Sequence, residues 1–368
     1  MTPSTSIDEL HRESLVIFSH NHEMFPADLD LMRQGGIDAQ FLSAFLDGRM
    51  FATPEAWEES KLSGEGFLSS ALVTLDYLEW LCANPDNRVM LAREPSDIAA
   101  AKENGKIAIV LGAEGTKWLE GRLEVFRVMV RHGLRYVAPV WYYDNVYATS
   151  QESSRPTGLT ERGITLVQEA NRLGVIIDGN HMSERCLEET LEASSHPILV
   201  SHSGARALNP TQRQLLTDEH LTQVAKAGGV IGIMFQSLVV KPGHSPATKD
   251  DLMRQFDYCA NLVGPEHIAC GPDYHPNDPR VWQGNNPTGP MPEPISWALS
   301  ENASQFKLVT QALLESGFNE QDVKMILGEN LLRLFTKVRE AATDGDPARF
   351  GDFQGHIPGT MTGGMNPL

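Results

Sequence analysis

An α/β architecture, the (β/α)8 TIM barrel, is what this chain predicts, and two observations predict it. Eight apolar runs of strand length alternate with helix-like stretches, and nearly every metal-capable side chain falls just after one of those runs. A parallel barrel gathers the C-terminal ends of its strands around one pocket, so the second pattern is what the first would produce. A doubly wound sheet is the competing arrangement, but no GxGxxG follows the first run.

The runs centre on residues 15–19, 37–43, 107–112, 135–141, 174–178, 197–201, 229–235 and 267–271. Several lack strict alternation, as strands buried on both faces of a parallel sheet do. Between the second and third runs, 67–82 is long and amphipathic, and 96–102 follows Pro95 and ends near Gly105. The 160–173 stretch stops at Gly174, a helix end placed just before the fifth run. Ser183 caps 183–193, and Thr217 opens a helix to Ala227 that Gly228-Gly229 closes. After the eighth run, 276–294 is rich in Pro, Gly and Asn and reads as a long loop over the pocket mouth. Helices follow at 300–316 and 319–338. A single barrel domain is thus expected over 1–342, with a Gly/Pro-rich tail over 343–368.

Composition narrows the function. At 368 residues and 41% apolar content the chain can bury a large core. A net charge of -18 argues against nucleic acid or an anionic membrane as partner. No segment approaches the ~20 apolar residues of a membrane span, and the N-terminus carries no signal-peptide pattern. Cys82, Cys186, Cys259 and Cys270 lie far apart without a CxxC pair, so buried free thiols and a cytoplasmic location are expected.

The chemistry lies in the residues that end the runs. His20 and His22 follow the first run, two apart and therefore on one face. Glu114 follows the third, His181 the fifth, His202 the sixth and Asp273 the eighth. His20 and His22 can hold one divalent ion, His181 and His202 a second, and Glu114 has two oxygens with which to bridge them. Asp273 is placed to hold and deprotonate an activated water. One or two ions are expected, zinc first among the candidates with manganese or iron also possible. Such a centre fits hydrolysis of amides or esters at neutral pH. His275, two residues beyond Asp273, is a pocket candidate, while His11, His132, His196, His220, His244 and His267 read as surface groups.

Several stretches resemble the renal (membrane) dipeptidase family, the M19 metallopeptidases, over roughly residues 12–338. They include Gly35-Gly36-Ile37-Asp38-Ala39-Gln40-Phe41, Gly112-Ala113-Glu114-Gly115, Ser201-His202-Ser203, Gly271-Pro272-Asp273-Tyr274 and Ile326-Leu327-Gly328-Glu329-Asn330. The resemblance implies a homodimeric barrel with two zinc ions bridged by Glu114. It places His20 on one ion, His181 and His202 on the other, and Asp273 beside the bridging water. Members of the family cleave dipeptides, often with a D-residue on the C-terminal side, and some cleave β-lactams or cysteinyl-glycine conjugates.

Three positions depart from the family pattern. His22 stands where the strand-one motif has aspartate, so a negative charge is lost. Trp141 stands where a histidine polarises the substrate carbonyl. Gln214 occupies the place of an arginine that grips the substrate carboxylate, with Arg213 displaced by one residue. Trp141, Tyr142 and Tyr143 would give the pocket an aromatic wall. The expected substrate is a small peptide-like, aromatic or cyclic amide. An ordinary dipeptidase is the alternative within enzymes, and a metal-poor, non-catalytic binding homologue is the alternative outside them.

Overall fold

A computed structural model of the chain describes residues 6–47, 66–243, 245–275 and 296–343. The expected 276–294 loop, His244 and the tail from 344 lie outside these residues.

Eight strands form the predicted barrel, and all their pairings are parallel. They are β1 (Ile17–Asn21), β2 (Ala39–Leu46), β4 (Ile107–Glu114), β5 (Leu134–Ala138), β6 (Ile176–Ile177), β7 (Leu199–Ser203), β8 (Val230–Met234) and β9 (Ile268–Gly271). Their order is β6-β5-β4-β2-β1-β9-β8-β7. The ring is nearly closed. At the seam between β6 and β7 a single bridge joins Asp178 to Leu199. There the Asp178 carboxylate takes the place of ladder bonds, accepting the Ser201 and Asn180 N–H groups at 3.0 Å each.

A ninth strand, β3 (Val89–Leu91), was not expected. It pairs with Ile107 to Ile109 of β4, while β5 joins the other end of β4 from Leu111 onward. β4 starts earlier than β5, and β3 covers the hydrogen-bonding edge left over. Three residues leave too short a pattern to be read from sequence.

The caps explain why the helices begin where they do. Thr160, Ser183 and Thr217 each accept a backbone N–H from the first turn of helices Glu161–Leu173, Glu184–Ala193 and Asp218–Lys226. Gly174 ends the first of these in the left-handed region, at φ 66°. Two expected surface histidines are buried instead. His11 bonds Thr310 Oγ1 at 2.7 Å and the Gly35 carbonyl at 2.8 Å, and His220 bonds Thr217 and Glu188. Their burial depends on partners brought by the fold.

Packing falls into two layers. Outward-facing residues such as Phe18, Ile109, Val137, Val200 and Ile233 pack under the surrounding helices. Inside, Ile17, Ala39, Ala108, Ile176, Leu199, Val230 and Ala269 meet Leu331, Leu334, Phe335 and Val338 of helix Asn330–Glu340. This last helix stoppers the N-terminal mouth. At barrel mid-height β1, β7, β8 and β9 approach so closely that a Cβ on Gly232 or Gly271 would lie 2.0 or 2.1 Å from the Ser201 carbonyl oxygen. The Ser19 hydroxyl fills the remaining space, donating to that oxygen at 2.6 Å and to the Cys270 carbonyl at 3.0 Å.

Candidate metal centre

Above this constriction the barrel opens into the predicted cluster. His20 lies on β1 and His22 just past its end, Glu114 ends β4, and His202 lies on β7. Asp273 sits two residues beyond β9, and His181 four residues beyond the end of β6. His181 therefore follows its strand at a greater distance than the sequence implied. Its backbone and that of Asp273 adopt left-handed conformations, φ 60° and 56°. Such strain at a non-glycine residue persists only where the surroundings enforce it. All six residues are at most 5% exposed.

The nitrogens converge. His20 Nε2 is 3.2 Å from His22 Nε2, and His181 Nε2 is 3.1 Å from His202 Nε2. Two nitrogens held by one tetrahedral zinc at ~2.0–2.1 Å would stand about 3.3 Å apart. Glu114 lies between the pairs. Its Oε1 is 2.7 Å from His181 and 3.3 Å from His202, and its Oε2 is 3.6 Å from His22. Asp273 Oδ1 faces His22 at 3.3 Å and His20 at 3.6 Å. Both Glu114 Oε1 and Asp273 Oδ1 are buried oxygens without a hydrogen-bond partner. Orphaned acceptors of this kind are costly unless something cationic sits among them. The cluster thus fits one or two divalent ions, with His20, His22 and Glu114 in one group and Glu114, His181 and His202 in the other.

Outer contacts aim the rings. His22 Nδ1 faces the Ser43 carbonyl at 3.1 Å, which fixes its proton there and turns Nε2 toward the cluster. The Ser201 hydroxyl lies 2.8 Å from His202 Nδ1 and 3.3 Å from His20 Nδ1, serving one ring of each pair. Asn180 Nδ2 is 2.7 Å from His202 Nε2 and 3.2 Å from Nδ1. Near-equal distances place the amide over the ring, away from the Nε2 lone pair.

Electrostatics follow from this crowding. Burial pushes the Glu114 carboxyl up, but His20 and His181 outweigh it and hold the group well below its usual range. Asp273 behaves likewise, with His275 as the strongest opposing charge. Burial and the neighbouring His202 keep His20 neutral, as a metal ligand must be.

A cavity of about 150 Å3 opens onto the cluster, and its walls include Trp141, Tyr142, Gln214, Met234, Gln236 and His275. His275 takes the pocket position expected for it, its ring stacked on His22 at 5.1 Å. Two candidates, Arg213 and Tyr143, fall outside the cavity wall. Arg213 is exposed and lines a neighbouring groove instead, its guanidinium 3.5 Å from the Gln151 carbonyl. Gln214 takes the inward place because its amide bonds the His202 carbonyl at 3.0 Å, which turns the preceding side chain outward. Tyr143 is not among the cavity walls; it is 66% exposed, with Lys117 Nζ 5.1 Å from its ring centre. Gln236 was overlooked. It follows β8 as the ligand candidates follow their strands, but glutamine is no metal ligand of choice, and its role appears only in the 2.6 Å bond to Asp273 Oδ2.

Comparison with known proteins agrees with this geometry. The family described as membrane dipeptidase (peptidase family M19) matches residues 10–347. A dipeptidase of Schizosaccharomyces pombe, itself described as uncharacterized, is 28% identical over 86% of this chain and 73% of its own length. An amidohydrolase from Pseudomonas aeruginosa superimposes with a TM-score of 0.79 at 24% identity, covering 90% of this chain and 99% of that one. A metallopeptidase from Rhodobacter sphaeroides, solved with a phosphinate mimic of the dipeptide L-Ala-D-Ala, gives 0.71 at 19% identity over 89% and 100%.

Proposed function

The chain belongs to the membrane dipeptidase family, metallohydrolases acting on peptide C–N bonds, and on that premise we propose a zinc-dependent hydrolase of small amides with an uncharged group beyond the scissile bond. The observation that carries the substrate reading is the cavity wall: among the described residues it holds no arginine or lysine. Among these residues a free carboxylate next to the cleaved bond would find no charge-assisted partner, at a cost of a few kcal/mol. Trp141 and Tyr142 offer aromatic surface in its place.

His20, His22, Glu114, His181 and His202 would hold the ions, and nitrogen-rich donors favour zinc. When bound, such ions supply an acidified water and an electrophile for the carbonyl. Asp273 takes the proton as the water oxygen bonds the carbonyl carbon, then delivers it to the nitrogen as the C–N bond breaks. Gln236 holds Asp273 Oδ2, leaving Oδ1 toward His20 and His22. The catalytic unit is taken as one domain within residues 1–342. Four unpaired cysteines support a reducing, cytoplasmic setting. The resemblance supports a homodimer, which light scattering checks.

The test compares L-Ala-D-Ala and Gly-L-Phe with L-alanine anilide on zinc-reconstituted protein, alongside Glu114→Gln. Anilide turnover above dipeptide turnover is expected, with metal content and activity falling together in the variant. Dipeptide kcat/KM at or above about 10⁴ M⁻¹s⁻¹ would make this an ordinary dipeptidase. Full metal content with unchanged turnover in Glu114→Gln would remove the bridging role.

A further inference from the structure

Amide hydrolysis drives the carbonyl π-electron pair onto oxygen as water adds to carbon, and that oxygen needs donors aimed at it. Few donors around the cavity are available. Both protons of the Gln214 amide are engaged, by the His202 carbonyl at 3.0 Å and Met234 Sδ at 3.4 Å. Those of Gln236 face Asp273 Oδ2 at 2.6 Å and His275 Nε2 at 3.1 Å. His22 and His202 direct Nδ1 at Ser43 and Ser201. The Nδ1 atoms of His181 and His275 are sealed from solvent, out of a substrate's reach.

Two donors remain. Trp141 and Tyr142 both line the cavity, and among the described residues neither the indole N–H nor the phenol O–H has a hydrogen-bond partner. Their ring centres are 4.8 Å apart, and the Tyr142 ring is 5.1 Å from the His181 ring. The pair therefore stands beside one half of the cluster, with its polar ends uncommitted. A phenol is protonated at neutral pH, so the Tyr142 hydroxyl is a donor there.

We propose that the Trp141 indole N–H and the Tyr142 hydroxyl together receive the carbonyl oxygen of the substrate and stabilise it as negative charge develops. Trp141 is then a hydrogen-bond donor as well as an apolar wall. The electron pair pushed onto oxygen is held by two neutral donors, and it returns to carbon as the C–N bond breaks. This assignment rests on the hydrolase reading above.

The experiment uses zinc-reconstituted protein and the variants Tyr142→Phe and Trp141→Phe, which keep an aromatic ring and delete only the donor. Steady-state kinetics on L-alanine anilide and L-Ala-D-Ala are paired with calorimetric binding of two phosphinates. One is the L-Ala-D-Ala mimic; the other is (1-aminoethyl)(benzyl)phosphinate, whose tetrahedral phosphorus stands for the hydrated anilide carbon. Each variant should lose about 10²-fold in kcat with KM within about threefold, and phosphinate affinity should fall in parallel while zinc content stays at the wild-type value. Wild-type kcat and phosphinate affinity in both variants would overturn the donor assignment and leave the hydrolase intact. A wild-type protein that turned over neither amide and bound neither phosphinate would remove the hydrolase reading, and this assignment with it. Tyr142 is 41% exposed, so its variant reports even if Trp141→Phe disturbs folding.

Discussion

The two mouths of the barrel are built on opposite terms. At the N-terminal mouth Asp38 and Asn330 find partners. Asp38 Oδ2 accepts Lys102 Nζ at 2.7 Å and the Val16 N–H at 2.9 Å. Asn330 Nδ2 reaches the Pro265 and Ile268 carbonyls, both at 2.8 Å, while its Oδ1 accepts Arg333. At the C-terminal mouth, Glu114 Oε1, Asp273 Oδ1, His181 Nδ1 and Asn180 Oδ1 are buried and unsatisfied, and two residues carry strained backbone. One end stores stability and the other stores unmet electrostatic demand. The same eight strands supply both, so the division is set by which side chains sit at their two ends.

The sharpest way to test that division is Asp273→Asn. It should retain zinc and thermal stability yet lose roughly 10³-fold in kcat, a barrier increase of about 4 kcal/mol. Near-normal turnover would take Asp273 out of the mechanism. Phe335→Ala is its mirror image at the other mouth. Removing this buried ring should cost about 3–5 kcal/mol in denaturant unfolding while leaving kcat/KM within twofold. A large kinetic effect there would show that the two ends are coupled.

A smaller change is expected at His22. His22→Asp restores a negative charge beside Glu114 and should tighten one zinc site about tenfold, read by competition with a chromophoric chelator. His22→Ala should weaken that site and leave the other unaltered; equal zinc content in His22→Ala and the wild type would make His22 a bystander. The smallest effect belongs to Asp251, far from either mouth in function. It caps helix Lys249–Val263 together with Thr248. Burial raises its carboxyl, but the Thr248 contacts and Arg254 outweigh this and draw it from 3.8 down to about 2. A depressed acid stabilises above its unfolded value and loses that contribution as pH falls toward 2. Asp251→Asn should therefore lower Tm at pH 7 by an amount near ~1 kcal/mol of capping, with the difference closing between about pH 4 and pH 2.

Most of the barrel was legible because its strands are apolar runs closed by chemically distinctive residues. Glu114 ends an eight-residue strand, and His202 lies within its own, so counting from the run sufficed. What stayed hidden depended on partners distant in sequence. β3 exists because β4 begins before β5 does. The buried site of His11 is completed by Thr310, 299 residues away. Arg213 and Gln214 differ by one position, and which one faces inward was decided by the His202 carbonyl, a contact no local pattern encodes.

The stopper helix has a consequence for how the protein is made. Asn330–Glu340 follows all eight barrel strands in the chain, so every strand leaves the ribosome before the element that covers their inner apolar layer. Until then Ile17, Ala39, Ala108, Ile176 and Val230 would face water or one another across an open mouth. A nascent chain arrested before residue 330 should therefore bind hydrophobic chaperones and resist compaction, and release should trigger closure in one late step.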